Sequence, residues 1–336
     1  MHAPTRPTAA ALKRPLDPLA RSVGYFQDLR FERDGIHVPQ TGARIRLNGA
    51  FLRSALSVIE IYSYIVGLGL LRLARGRRAH ATIAFHPRAA APWYNIWSVA
   101  QLAGLRTISD VAAADHVVVF EDATYTNAAQ TLPEGLAARA VNARVDNIAK
   151  QYVADLFEDV FGYALAVDPT RFTGRAIRKS QANGVHDGVE IDCPIPASAV
   201  RPGYAYQRLV DSTVDGETSE DLRVAVAFGA LPAVFHKRKS LEKRFGTEYL
   251  SVALRDAETV FSPTEIDKLV TFCDRIGLDF GAIDVMRDKT DGRIYVVDVN
   301  KTCMPVLTLP FGKQIAAYRR IAKAFAEGLA ARSSGV

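Results

Sequence analysis

Two strand-like runs near the end of the chain carry oxygen-bearing side chains where a strand is usually apolar. They cover residues 280–287 and 293–300, and the polar loop between them contains Asp291 and Gly292. β-Branched and aromatic residues on both sides of an Asp-Gly turn predict an antiparallel hairpin.

Three side chains of this hairpin could bind a metal ion. Asp298 and Asn300 are two residues apart, so both leave the same face of their strand. A register that pairs Arg287 with Arg293 also puts Asp284 on that face, diagonal to Asp298. Mg²⁺ prefers oxygen ligands and completes its shell with water and nucleotide phosphates. The alternative is a hairpin whose polar residues face water, but valines and isoleucines occupy both faces, and a buried carboxylate pair needs a cation.

The hairpin resembles the metal-binding hairpin of the ATP-grasp superfamily. The resemblance lies in Asp284, in the run Asp298-Val299-Asn300 and in Pro305 shortly afterwards. It implies that Asp284, Asp298 and Asn300 hold Mg²⁺ against the phosphates of ATP. Many members have Glu at the position of Asp298 and a Pro-Gly turn after the Asn, whereas this chain has Asp and lacks that Gly.

A lysine at the end of a predicted strand, beside a loop of small residues, could bind phosphate. Lys179 and Ser180 end the strand 174–180, and the loop 181–188 contains Gly184. The ammonium neutralises phosphate charge, and glycine lets backbone N–H groups approach it. These residues are similar to the phosphate lysine and the mobile glycine-rich loop of the superfamily, which implies that Lys179, Ser180 and Gly184 contact ATP.

Other ATP contacts follow from the resemblance alone. The run 205–211 resembles the strand that joins the two grasp subdomains and offers its backbone to adenine. Its adenine candidates are Gln207, Arg208 and Leu209. Lys150 takes the place of a phosphate-contacting lysine, with a solvated helix-face lysine as the alternative. Asp221 opens an acidic-x-Arg pattern that ends at Arg223 and implies nucleotide contact.

Basic residues gather downstream of these adenine candidates. We assign catalytic roles to Arg223, Lys237 and Arg244, which could clamp a γ-phosphate or a substrate carboxylate. A solvated basic edge is the alternative. Little aromatic interleaving and the lack of a known module argue against nucleic acid as a partner.

Composition bounds the class of protein. The 336 residues are 49% hydrophobic and 23% charged, which is typical of a globular chain of two or three domains. The net charge of +6 fits anionic ligands. Cys193, Cys273 and Cys303 are far apart, which predicts a reducing, cytoplasmic compartment, and the scattered histidines predict no zinc.

One apolar run, residues 61–71, is too short to span a bilayer and is bracketed by Glu60 and Arg72. It predicts a buried helix and a protein that needs no detergent. Arginines at 72, 75, 77 and 78 keep open a contact between segment 61–78 and a membrane surface or a partner.

The predicted fold class is α/β: an N-terminal α/β pre-grasp domain followed by two α+β ATP-grasp subdomains. Strands at 82–85 and 114–120 alternate with a helix at 93–105, which predicts parallel pairing. A helix at 142–161 and a capped helix at 263–276 follow. The expected boundaries are 1–20 for a disordered arm, 21–140 for the N-terminal domain, 141–208 for the central (lid) subdomain and 209–336 for the C-terminal metal-binding subdomain.

The resemblance covers about residues 145–312 and implies an ATP-dependent ligase with ATP and Mg²⁺ as cofactors. Such an enzyme joins a small-molecule carboxylate to an amine through an acyl phosphate and releases ADP and phosphate. A small-molecule kinase of the same fold, a nucleotide-binding regulatory protein and an enzyme working at a membrane surface are the alternatives. A homodimer is the oligomeric state that we consider beside a monomer.

Overall fold

The computed structural model describes residues 30–32, 35–38, 43–76, 79–185, 187–244, 249–306 and 308–334. The expected arm 1–20 lies outside these residues, as do Arg77 and Arg78. Within the described part the predicted mixed α/β class is confirmed, because helices alternate with parallel strands at the start and pack on antiparallel sheets further on.

The N-terminal part contains two three-stranded sheets. The antiparallel sheet consists of β1 (Arg30–Glu32), β2 (Gly35–Val38) and β3 (Ala43–Arg46). The parallel sheet has the order β5-β4-β6 and consists of β4 (Ala81–Pro87), β5 (Leu105–Thr107) and β6 (His116–Phe120). The helices of this part are α1 (Gly49–Ala74), α2 (Asn95–Leu102) and α3 (Leu136–Arg139). The predicted parallel pairing is therefore confirmed.

The parallel sheet is buried on both faces, as sheets of this kind require. Val118 and Phe120 of β6 join the core that contains α2, while Val117 and Val119 join a smaller core beside α3. Because both faces of the sheet are buried, the sequence of β6 is a continuous apolar run rather than an alternating one.

The next helix begins later than the predicted start at residue 142. It is α4 (Lys150–Phe161), with Ala149 as its N-cap and Gly162, at a φ of 82°, as its C-cap. Before it, a turn at 142–144 lies between two isolated bridges to the N-terminal part, Val141 with Val118 and Asn147 with Tyr125. These tertiary pairings overrode the helical periodicity at the start, whereas the predicted end at Gly162 is correct.

A three-stranded antiparallel sheet follows, with the order β8-β7-β9, and is called the lid sheet below. It consists of β7 (Gly174–Ser180), β8 (Val189–Cys193) and β9 (Tyr204–Arg208). Strand β7 has the bounds that the sequence predicted, 174–180.

A five-stranded antiparallel sheet, the main sheet, has the order β12-β11-β10-β13-β14. Its strands are β10 (Thr218–Ala227), β11 (Ala230–Ser240), β12 (Ser251–Arg255), β13 (Phe280–Arg287) and β14 (Ile294–Asn300). The helices here are α5 (Pro263–Ile276) and α6 (Phe311–Ser334). The predicted cap of α5 is present, since Ser262 and Glu265 form a reciprocal capping box.

The two faces of the main sheet differ. One face is apolar, and its Leu222, Val224 and Ile283 share a core with α4 and α5. The other face is divided: at one end Ala225 and Phe280 pack against α6 and the N-terminal part, and charged side chains occupy the other end. The charged end is therefore the place where chemistry could occur.

Helix α4 packs on the main sheet rather than on the lid sheet. Sequence reasoning put it in the central subdomain, but its Val153 and Phe157 are fully buried in the core of the main sheet. It packs most extensively on β14 and α5, with fewer contacts to β9 of the lid sheet.

Helix α1 is not the buried helix that the sequence predicted. Ile61 and Ile65 are buried, but Leu70 and Leu71 are 62% and 54% exposed. One face of α1 packs on the protein and the opposite face meets solvent, so an apolar run did not by itself specify burial.

Candidate active site

Asp284 and Asp298 lie directly opposite each other on β13 and β14. Arg287 pairs with Ile294, and the register then shifts between Asp284 and Val285, which leaves Val297 as an extra residue on β14. The predicted pairing of Arg287 with Arg293, and the diagonal placing of the two carboxylates, are therefore wrong. A β-bulge, which hydrophobic alternation does not reveal, produces the closer arrangement.

Asn300 joins the two carboxylates on the same face. It is the cross-strand partner of Ala282, two residues before Asp284, and its Nδ2 donates to Asp284 Oδ2 at 3.1 Å. The three predicted metal ligands are thus neighbours, and their oxygen donors are of the kind that Mg²⁺ prefers.

Two cations hold the Asp284 carboxylate. Arg223 donates from Nε to Oδ1 at 2.9 Å and from Nη2 to Oδ2 at 2.8 Å, a two-pronged contact from the neighbouring strand β10. Lys237 Nζ on β11 lies 3.3 Å from Oδ1. Burial alone would raise the pKa of Asp284, but Arg223 and Lys237 outweigh it and hold that pKa well below its usual range.

Asp221 contacts the lysines rather than an exposed surface. It is the cross-strand partner of Lys237, whose Nζ lies 2.5 Å from Asp221 Oδ1, and Lys239 Nζ lies 3.0 Å from Oδ2. The ring of Tyr249 covers both ammonium groups at 5.2 Å. Asp221 therefore positions cations, and direct contact with a nucleotide does not follow from its place.

Arg244 points to the lid sheet. Its guanidinium pairs with Glu190 on β8, and its carbonyl accepts from Lys239 Nζ at 3.4 Å. Burial and the neighbouring Arg175 lower the pKa of Arg244. Of the three residues to which the sequence assigned catalytic roles, Arg223 and Lys237 meet at Asp284, and Arg244 joins the end of β11 to the lid sheet.

Two further lysines flank the hairpin from the other side. Lys150 is the first residue of α4, its side chain is only 7% exposed, and it forms an ion pair with Asp298. Lys179 on β7 donates to the carbonyl of Val297 at 2.9 Å. Loss of solvation lowers the pKa of Lys179 to about 8, against the opposing influence of Asp298. Both lysines proposed for phosphate contact therefore lie beside the predicted metal ligands.

The loop after Lys179 is anchored over the same place. Gln181 Oε1 accepts from the backbone N–H of Gln151 at 2.9 Å, at the start of α4. Asn183 Oδ1 accepts from Lys150 Nζ at 3.4 Å, and the Asn183 N–H donates to Thr124 Oγ1 of the N-terminal part at 2.8 Å. These amide oxygens occupy positions that phosphate oxygens could take.

Ser180 and Gly184 shape this loop. The backbone N–H of Ser180 donates to Asp187 Oδ1 at 3.0 Å, and its Oγ accepts from Ala182 N–H at 3.2 Å. Gly184 has a φ of 76°, a conformation that favours glycine. Ser180 thus ends strand β7 and Gly184 lies in the loop that follows, and their contact with ATP stays a prediction.

The adenine candidates lie at the end of β9, where Gln207 and Arg208 belong to the strand and Leu209 follows it. The backbone N–H of Arg208 donates to Leu165 O at 2.9 Å, and that of Leu209 donates to Arg175 O at 3.0 Å. The Gln207 side chain is buried and donates to the carbonyl of Lys150 at 3.3 Å. These two N–H groups already have partners in the protein, and adenine contact at Gln207, Arg208 and Leu209 stays a prediction.

The charged end of the main sheet carries more positive than negative groups. Five cations (Lys150, Lys179, Arg223, Lys237 and Lys239) contact or surround four carboxylates (Asp187, Asp221, Asp284 and Asp298). An excess of positive charge at one place suits a polyanion. Because Asp298 is 26% exposed, one of the carboxylates can also reach a metal ion that the polyanion brings.

Sequence reasoning missed Lys301, the residue after Asn300. It is 5% exposed, and its ammonium makes no hydrogen bond within the described residues. Burial lowers its pKa to about 8, while Glu121 and Asp122 at the end of β6 act in the opposite direction. The signal in the sequence was that a lysine follows Asn300, where many superfamily members have a Pro-Gly turn.

Comparison with known proteins gives matches among solved structures. No protein-family model and no curated protein sequence matches the chain. The ATP-grasp ligase PsnB complexed with minimal precursor is 15% identical over 75% of this chain and 99% of its own, with a TM-score of 0.48. D-alanine–D-alanine ligase from Bacillus anthracis complexed with ATP is 11% identical over 76% of this chain and 100% of its own, with a TM-score of 0.45.

A third match is the RiPP-associated ATP-grasp ligase of Chryseobacterium gregarium in complex with ADP and a leader and core peptide. It is 11% identical over 74% of this chain and 96% of its own, with a TM-score of 0.42. Two of these three matches are described as ATP-grasp ligases. All three TM-scores are below 0.5, so the function proposed below rests on the residues of the site itself.

Proposed function

We propose that this chain is an ATP-dependent ligase that joins a carboxylate to an amine through an acyl phosphate. The observation that carries the proposal is the pair Asp284 and Asp298, directly opposite each other and surrounded by an excess of cations. A site with this charge suits a nucleoside triphosphate together with its metal ion.

Asp284, Asp298 and Asn300 would hold Mg²⁺, which offsets phosphate charge when it is bound. Lys150 and Lys179 reach the same place from α4 and the lid sheet and would bind phosphate oxygens. Arg223 and Lys237 contact Asp284 and would add positive charge for the acyl phosphate or the incoming carboxylate. These groups act by positioning and by stabilising charge as the phosphoryl group moves.

The proposed reaction has two steps. A carboxylate oxygen of the acid substrate attacks the γ-phosphorus of ATP, and the bond to ADP breaks. The amine then attacks the acyl carbon, a C–N bond forms, one proton leaves the nitrogen, and inorganic phosphate departs with the oxygen that came from the carboxylate. The substrates are a small-molecule carboxylic acid and an amine.

Labelling of the acid with heavy oxygen tests this proposal. Acids and amines are first screened for stimulation of ATP turnover, with Asp298→Asn as the inactive control. The ligase is supported when ADP forms and label appears in inorganic phosphate. Phosphate that stays on the acceptor would assign a kinase instead, and Mg-ATP binding without turnover by any acid, amine or alcohol would assign a regulatory protein.

A further inference from the structure

Helix α1 carries a long apolar stripe that no other part of the described chain covers. The stripe consists of Leu52, Leu56, Ile59, Val66, Leu70 and Leu73, which are 39% to 68% exposed. At 3.6 residues per turn these side chains fall within an arc of about 100° and extend over about 32 Å. Exposed apolar stripes of this size mark interaction sites on globular proteins.

The opposite face of α1 is fixed to the protein, so the stripe cannot turn inward. Ile61 and Ile65 are 4% and 5% exposed and belong to the core that contains α2 and α6. Near the end of the helix, the Arg72 guanidinium donates to the carbonyls of Gln101 at 2.8 Å and Leu102 at 3.0 Å. Helix α1 is therefore attached to the domain over residues 61–72, which is most of its second half.

The composition of α1 matches that of a lipid-facing helix. Within the described residues, the stretch Ala55–Ala74 is the one helix long and apolar enough to cross a membrane by length and composition alone, with a mean hydropathy of 1.5 and 11% of it buried. Attachment along the inner face instead favours a helix that lies in the plane of a membrane surface.

Positive charge at the end of the helix identifies the kind of membrane. Arg75 is exposed, and the sequence continues with Arg77 and Arg78. Basic residues beside an apolar stripe attract the headgroups of anionic lipids. A second copy pairing through this stripe would bring another basic cluster, whereas an anionic lipid surface supplies the opposite charge, which makes lipid the better fit.

We propose that the outer face of α1 docks the protein on the surface of an anionic lipid bilayer. The apolar stripe enters the boundary between headgroups and acyl chains, while the arginines contact anionic headgroups. This docking is independent of the proposed ATP chemistry, because it involves none of the residues around Asp284.

Co-sedimentation of the full chain with vesicles tests the proposal. Vesicles of phosphatidylcholine with phosphatidylserine should bind the protein, vesicles of phosphatidylcholine alone should bind it less, and added salt should weaken binding. The variant Leu56→Glu/Leu70→Glu, which alters residues 53% and 62% exposed, should bind the mixed vesicles at least about 10-fold more weakly.

The matched control is Val214→Glu/Leu250→Glu, which alters residues 48% and 62% exposed outside α1 and should bind vesicles as the wild type does. Circular dichroism confirms that both variants are folded. The proposal is overturned if the full chain binds no vesicles, or if the α1 variant binds as well as the control. A dimer in light scattering that the α1 variant converts to a monomer, without vesicle binding, would assign the stripe to a second copy.

Discussion

The ammonium of Lys150 forms an ion pair with the carboxylate of Asp298, and this contact joins the first turn of α4 to the metal-binding strand β14. Asn183, from the loop between β7 and β8 of the lid sheet, approaches the same ammonium at 3.4 Å. Three separate parts of the chain thus meet at one charged point, where the phosphates of a nucleotide would compete for Lys150.

Loss of Lys150 should weaken nucleotide binding. Lys150→Met removes a buried ammonium and leaves Asp298 without its partner, so the Kd for Mg-ATP should rise by about 10-fold or more. Isothermal titration calorimetry measures this. Lys268→Met is the control, because Lys268 donates to the carbonyl of Phe161 on α4 and lies outside the charged end of the main sheet. Equal Kd values for both variants would contradict the role of Lys150.

Nucleotide affinity should depend on the charge of Lys179. Because desolvation lowers the pKa of Lys179 to about 8, the ammonium predominates below that pH and is lost above it. The affinity for ATP should therefore fall as the pH rises through about 8. Lys179→Arg keeps its charge throughout and should give a flatter profile. A wild-type profile that stays flat across this range would exclude a titrating Lys179.

The two-pronged grip of Arg223 on Asp284 should matter for turnover. Arg223→Lys keeps the charge but loses one of the two bonds, at 2.9 and 2.8 Å, so turnover should fall by about 10- to 100-fold. Arg238→Lys is a matched control on β11, since Arg238 is 47% exposed and pairs with Glu220. Steady-state kinetics at saturating ATP compare the two variants. Equal losses of turnover in both would show that the contact of Arg223 with Asp284 has no specific role in turnover.

The cap of α5 should contribute stability that depends on pH. Burial alone would raise the pKa of Glu265, but hydrogen bonds from Arg287 and the Ser262 N–H outweigh it and lower that pKa. This stabilisation is fully present above the pKa of an unfolded glutamate, about 4.3, and is lost as the pH falls through the folded value.

Glu265→Gln should therefore lower the free energy of unfolding at neutral pH by about 1 kcal/mol and flatten its acid dependence. Urea denaturation at a series of pH values measures both effects. Glu258→Gln, at an exposed position, is the control. A loss of stability in Glu265→Gln that is equal at all pH values would mean that the carboxylate charge is not involved.

Local patterns predicted the elements that local interactions determine. The helix Pro263–Ile276 follows from Ser262, Pro263 and Glu265, and the strand Phe280–Arg287 from its β-branched and aromatic residues. That Asp298 and Asn300 share one strand face also followed from the period of two. The position of Asp284 directly opposite Asp298 did not, because it depends on the β-bulge.

Contacts between distant segments could not be predicted from the sequence. The bulge at Val297 depends on how two strands pair, and the late start of α4 depends on bridges to Val118 and Tyr125. The exposed stripe of α1 could not be told from a buried run, because both are apolar in sequence and differ only in what packs against them. The ion pair of Lys150 with Asp298 joins residues far apart in the chain.

Titration of Mg-ATP into the wild type and into Asp298→Asn tests the metal and nucleotide site most directly. The wild type should bind ATP tightly with Mg²⁺ and far more weakly when the metal is chelated. Asp298→Asn loses one carboxylate, so its affinity for Mg-ATP should fall by about 10-fold or more. Asp274→Asn, an exposed aspartate on α5, is the control and should match the wild type. ATP binding that is indifferent to Mg²⁺, or unchanged in Asp298→Asn, would contradict the site.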